Sequence, residues 1–189
     1  MDHVISGVAK FQKEVYPNKK ATFQKLATGQ NPEVLFITCS DSRIDPNLVT
    51  QTDPGELFIC RNAGNIVPPH SNQTGGMTAS IEFAVAALGV SHIVICGHTD
   101  CGAMKGAINP EGLSALPHVK EWLGHCRVAT EVVKERCGHS DLSIDDLEAV
   151  TKENVVQQIQ HLRTHPAVAA KIATGQVKLH GWVYNIGSG

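Results

Sequence analysis

The chain has 189 residues, with 16 Lys and Arg against 18 Asp and Glu, a formal net charge of −2. A hydrophobic share of 42% with 18% charged residues supplies a sizeable core for one domain spanning residues 1–189, and excludes a disordered or acidic-tail chain. The balanced charge gives no electrostatic case for nucleic acid or an anionic membrane as partner.

In chain order, the start has no apolar core of signal-peptide length, and no run nears the roughly 18 apolar residues that span a membrane. The expectation is a soluble, cytoplasmic protein. Residues 6–28 are polar with scattered apolar positions (Val8, Phe11, Val15, Phe23, Leu26), and Pro17 splits them into two helical pieces. So thin a stripe buries little alone, which predicts an arm over residues 1–28 that wraps another chain. Val34–Ile37, Leu57–Cys60 and Ile93–Cys96 are continuous apolar runs, the pattern of parallel strands covered by helices.

Asp45-Pro46 predicts an N-cap followed by proline at the first helical position. Helical spacing runs from Gly76 to Leu88, and from Leu116 through Leu123 and Cys126 to Val133. A further helix carries Leu147, Val150, Val155, Ile159 and Leu162, and stops before Pro166. Residues 176–186 read as a last strand, whose end at Ile186 to Gly189 looks like a lead into something further. The fold class is α/β: a three-layer domain with a mainly parallel sheet flanked by helices, an N-terminal helical arm and a C-terminal strand.

Six cysteines without a secretory signal point to metal binding or buried thiols rather than disulfides. Cys39-Ser40-Asp41-Ser42-Arg43 follows the first strand, where carboxyl ends of parallel strands form ligand crevices. If the backbone stays extended, Cys39, Asp41 and Arg43 share one side; a buried thiol beside a surface Asp–Arg pair is the plainer alternative. Gly97-His98-Thr99-Asp100-Cys101-Gly102 follows the third strand and opens a helix, placing His98 and Cys101 on one face of its first turn. If the two strands are adjacent, Cys39, His98 and Cys101 converge as a soft donor set of three, the count typical of a catalytic zinc with one open position. A closed structural site that adds Cys96 is a rival, but Cys96 and Cys60 both end apolar runs and read as buried thiols. His161 and His165, four apart, read as a solvated helix face. His92, His118, His125 and His139 read as structural or surface residues, any of which could shuttle protons at a pocket mouth. Cys126 and Cys137 read as core.

The motifs CSDSR (39–43 with its cysteine first), Arg61 to Asn65 (RNAGN) and Gly97 to Gly106 (GHTDCGAMKG) together resemble β-class carbonic anhydrases over roughly residues 5–187. The resemblance implies zinc ligands at Cys39, His98 and Cys101, one Zn2+ per chain, and an Asp41–Arg43 dyad. It also implies a homodimer or dimer of dimers whose N-terminal helices reach across the partner. Gln30, Phe58 and Phe83 fall on pocket positions of the group that lacks a regulatory bicarbonate site. The other group carries a Trp where Phe36 stands here. The implied activity is reversible hydration of CO2 to bicarbonate and a proton through zinc hydroxide. In it, Asp41 orients the nucleophile, Arg43 holds Asp41, and Gln30 and the Gly102 N–H donate to substrate oxygens. Whether Asp41 itself occupies the fourth zinc position in a closed low-pH state is left open. The alternatives are a hydrolase of carbonyl sulfide or carbon disulfide on the same site, and a structural zinc protein without turnover. No G-x-G-x-x-G follows a strand and no C-x-x-C is present, which disfavours dinucleotide binding and thiol redox chemistry.

Overall fold

The computed structural model describes residues 1–71, 74–138 and 140–189. Its contacts divide into two compact units, Met1–Asn31 and Pro32–Gly189. In the first, α1 (Asp2–Lys10) runs into a π-helical turn, Phe11–Val15, and a 3-10 turn at Pro17–Lys19 precedes α2 (Lys20–Leu26). Proline lacks the N–H that a continuous helix needs, so the break falls where the sequence predicts it. Tyr16 and Phe23 stack, and Phe11 meets both edge-on, with ring centroids 5.6–6.2 Å apart. None of the helical residues of this unit is buried, and Val4, Ile5 and Val8 are exposed.

The second unit is built on four parallel strands: β1 (Val34–Cys39), β2 (Leu57–Asn62), β3 (His92–His98) and β4 (Lys178–Tyr184), in the order β2-β1-β3-β4. Its helices are α3 (Pro46–Thr50), α4 (Gly76–Glu82), α5 (Gly102–Ile108), α6 (Pro117–Leu123), α7 (Arg127–Cys137), α8 (Leu147–Thr164) and α9 (Pro166–Ala173). Asp45 caps α3 as expected, its carboxylate accepting from the Asn47 and Leu48 N–H groups. The helix expected from Leu116 to Val133 is instead two, because Gly124–Cys126 tightens into a 3-10 turn; Leu116 lies exposed before α6. Glycine at Gly124 lowers helix propensity where the chain bends. No helix among the described residues is long and apolar enough to cross a membrane.

One sheet face buries Leu35, Ile37, Ile93 and Ile95 against Ile81, Ala84, Val85, Val155, Leu162 and Val168 from the helical layer. The other carries a smaller cluster of Phe36, Ile44, Val94 and Cys96, with Trp182 left 45% exposed. A third cluster, of Ile66, Met104, Leu123, Cys126, Val133 and Val150, lies beneath the carboxyl ends of β1 and β3 and includes Cys39 and Cys101.

Two glycines let α8 lie directly on the sheet. A Cβ on Gly97 of β3 would meet Val155 Cγ2 at 3.0 Å, and one on Gly181 of β4 would meet Val155 Cγ1 at 2.8 Å and Ile159 Cδ1 at 3.0 Å. Val155 is stiff about its only side-chain torsion and cannot swing away. Gly181→Val is therefore expected to lower unfolding free energy by about 1–3 kcal/mol. Urea denaturation checks this, and an unchanged midpoint would show that α8 yields.

Candidate metal centre

Parallel pairing of β1 with β3 matches Thr38 with Cys96, so Cys39 and His98 emerge side by side at the carboxyl ends of neighbouring strands. Both ends then turn. After β1 the chain does not stay extended. The Arg43 N–H folds back to donate to Asp41 Oδ1 at 2.9 Å, and this turn, not strand alternation, brings Asp41 and Arg43 together. After β3, His98 is still a strand residue and Cys101 is the residue before α5, so the two do not share a helical turn as the spacing suggested. The reversal is made at Asp100, whose φ of 57° is left-handed. Short polar Asp and Asn are among the few non-glycine residues that tolerate that conformation.

The result is one compact donor group. Sγ of Cys39, Sγ of Cys101 and a ring nitrogen of His98 lie within 4.8 Å of one another, all buried. The two sulfurs are 3.9 Å apart. Two thiolates on a tetrahedral zinc, each at about 2.3 Å, sit about 3.8 Å apart, so the spacing fits. His98 Nδ1–H donates to the Thr99 carbonyl at 2.8 Å, which turns Nε2 inward. Nε2 is fully buried without a hydrogen-bond partner. An unpartnered buried imidazole nitrogen beside two thiols fits a metal ligand.

The electrostatics agree. Cys39 is lowered to about 4, chiefly because the Cys101 thiol donates to it, with His98 and the Gly64 N–H (3.4 Å) adding to this against the opposing effect of burial. Cys101 is shifted up because it is that donor, and burial adds to the shift. A divalent cation bound here would displace thiol protons. Burial lowers the His98 pKa, yet the neighbouring Cys39 thiolate and the Thr99 carbonyl outweigh it and leave it raised. Cys96 is not a fourth donor. It lies in the cluster with Phe36 and Val94, its thiol meets the Gly97 carbonyl, and burial pushes it up to about 11.

Beside the donors, Arg43 grips Asp41 with two parallel bonds, Nε to Oδ1 at 2.9 Å and Nη2 to Oδ2 at 2.8 Å. Those bonds and the Arg43 backbone N–H hold the Asp41 carboxyl well below the usual range. Asp41 Oδ2 stands 3.9 Å from His98 Nε2, facing the donor group.

Sequence reasoning passed over two supports. Arg61 donates to the carbonyls of Cys39, Asp41 and Ile44 at 2.7–2.9 Å, so it shapes the whole turn after β1. Gly64, at φ 85° with Ala103 Cβ 3.0 Å from where its own Cβ would be, brings its N–H to the Cys39 sulfur. Only the run Arg61 to Asn65 hinted at either. From α8, Asn154 donates to the Gly64 carbonyl, and Gln158 bridges Asn154 Oδ1 and the Val67 N–H.

Other expected residues lie elsewhere. Phe58 is matched with Leu35, four residues before Cys39, so Phe58 and the Phe83 it packs on lie toward the amino end of the sheet. Gly102 opens α5 beside Cys101 and borders open space. Gln30 is exposed in the N-terminal unit. His161 and His165 are not a solvated face: His161 bonds the Val67 carbonyl and Gln157, and buried His165 bonds the Pro68 carbonyl. Cys126 is core, but Cys137 is exposed at the end of α7, where the left-handed Gly138 turns the chain outward. His92 bonds His180, His118 is exposed, His125 packs on Trp122, and His139 lies outside the described residues.

Fold and site together define an α/β protein with a three-donor, two-sulfur group that could hold a metal ion at the carboxyl edge of a parallel sheet. The carbonic anhydrase family model matches residues 34–189. A carbonic anhydrase of Pseudomonas aeruginosa is 48% identical over 189 residues, covering 100% of this chain and 85% of that protein. The solved β-carbonic anhydrase CcaA is 41% identical with a TM-score of 0.94, covering 99% of this chain and 91% of that one. A tetrameric β-carbonic anhydrase of Sordaria macrospora is 32% identical with a TM-score of 0.84, covering 98% and 92%. The chain belongs to the β-class carbonic anhydrase family of enzymes.

Asn154→Ala is expected to lower unfolding free energy by about 1–3 kcal/mol, because the Gly64 carbonyl and Gln158 lose a buried partner. Urea unfolding at fixed pH measures it. A change below a few tenths would mean water replaces the side chain.

Proposed function

We propose that the chain catalyses the reversible hydration of CO2 to bicarbonate and a proton, with one zinc ion held by Cys39, His98 and Cys101. The observation that carries this reading is a buried soft donor set of two sulfurs and one imidazole, with an ionised carboxylate fixed beside it and, among the described residues, no third sulfur in the group. A zinc ion there supplies Lewis acidity that lets water act as a nucleophile, moderated because two thiolates offset its charge.

Asp41 Oδ2 accepts the hydrogen bond of the attacking water and so aims its lone pair at the carbon. It stays ionised because Arg43 fixes both of its oxygens. It is therefore an acceptor throughout, not the acid of the reaction. The Gly102 N–H, at the start of α5, donates to the oxygen on which charge grows. Gln30 donates likewise. Phe58 and Phe83 supply an apolar wall for a small apolar gas. In one chain they lie about four strand residues, roughly 13 Å, from the donor group. They serve a site only if a second chain brings its own there, so this part of the reading requires at least a dimer. A dimer with the arm of residues 1–28 laid on the partner, or a pair of such dimers, also gives Val4, Ile5 and Val8 a place to bury. The S. macrospora relative is described as tetrameric. The reading places the enzyme in the cytoplasm.

Stopped-flow CO2 hydration tests the activity. The rate is expected to lie far above buffer, to vanish on zinc removal, to return with zinc, and to rise toward mildly alkaline pH. A profile flat from acid to base would contradict the moderated Lewis acidity. Asp41→Asn is expected to lose about 10–100-fold in rate while retaining one zinc per chain by metal analysis. A structural zinc protein would show no rate to lose.

A further inference from the structure

Arg43 is held from two sides. Beyond its paired bonds to Asp41, Nη1 donates to Asp100 Oδ2 at 2.9 Å and Nη2 donates to the Asp100 carbonyl at 3.1 Å. The other Asp100 oxygen pairs with Lys105, one turn into α5. Asp100 occupies its place at a left-handed φ of 57°, a conformation that persists in a non-glycine residue when its surroundings hold it there. It sits between two donors, His98 and Cys101, on the loop after β3, while Arg43 belongs to the loop after β1.

We infer that Asp100 is a positioning residue for the reaction proposed above: its carboxylate anchors the Arg43 guanidinium, which in turn fixes the Asp41 carboxylate beside the metal donors. Arg43 is 43% exposed and Asp100 54%. A lone ion pair that open to water holds geometry weakly. The paired bonds to Asp41 set the two groups relative to each other but leave them free to swing together on the turn after β1. A second anchor on a different strand's loop removes that freedom, and Lys105 keeps the anchor itself from rotating. The chain of contacts Asp41–Arg43–Asp100–Lys105 thus ties the two metal-bearing loops together through side chains. The inference rests on the hydration reading for its kinetic consequence, but not for the clamp.

Asp100→Gly is the clean test, because glycine accepts the left-handed backbone and keeps the carbonyl acceptor while deleting only the carboxylate. In the zinc-loaded full chain, kcat is expected to fall about tenfold with KM and zinc content unchanged. The Arg43 guanidinium NMR signals should be restricted in the parent protein and should average in the variant. Asp100→Asn, which retains shape and one acceptor, should recover most of kcat. Asp100→Gly made on Asp41→Asn should add little, since the anchor acts through Asp41. Unchanged kcat with unchanged Arg43 signals overturns the proposal, as does a full additive loss on the Asp41→Asn background. If the parent protein shows no CO2 hydration, the reaction reading falls, while the Arg43 signals still decide the clamp.

Discussion

The site depends first on the parallel pairing of β1 with β3. Register places Thr38 opposite Cys96, and every consequence at the carboxyl edge follows from it. A thiol that ends one strand meets an imidazole that ends the next. A shift of one residue would move the apolar row of β1 from one face of the sheet to the other. The register is itself held by the apolar rows on both faces, Leu35, Ile37, Ile93 and Ile95 on one and Phe36 and Val94 on the other. Core packing and metal chemistry are thus set by the same backbone hydrogen bonds.

The second requirement is that the donors be kept ready before any cation arrives. Two thiols, an imidazole and a carboxylate crowded together lose their hydration, and their negative forms repel one another. The protein answers with fixed partners: Thr99 for the back of His98, Gly64 for Cys39, Arg43 for Asp41, and Arg61 for the carbonyls of the turn. The Gly64 loop is in turn fastened to α8 through Asn154 and Gln158. Helix α8 reaches the sheet because Gly97 and Gly181 leave room for Val155. The long helix, at a distance from the chemistry, is therefore part of what holds the donor geometry.

The two units differ in how they meet the burial problem. The sheet unit encloses three apolar clusters of its own. The N-terminal unit buries none of its helical residues and relies on an aromatic trio, Phe11, Tyr16 and Phe23, for its shape. Conformational entropy lost in ordering such a segment is not offset by its own burial.

The sequence alone determined the parallel sheet, the strand runs, the cap at Asp45, the break at Pro17, the helix ending before Pro166, and the three donor residues. Each is a local signal: continuous apolar runs, a proline, a capping carboxylate, soft side chains at strand ends. The tertiary structure decided the rest. It replaced an extended Cys39–Arg43 segment with a turn, because the Asp41 carboxylate accepts from both the main-chain N–H and the guanidinium of Arg43. It replaced a shared helical turn for His98 and Cys101 with a reversal at Asp100. It buried His165, tied down His161 and exposed Cys137, which periodicity had placed the other way. It showed the contacts of Arg61, Gly64 and Asp100, whose partners lie 17 to 57 residues away in the chain. Spacing reports neighbours along one element; only the folded chain shows which loops from different strands face each other, and there the hydrogen bonds that aim a side chain are made.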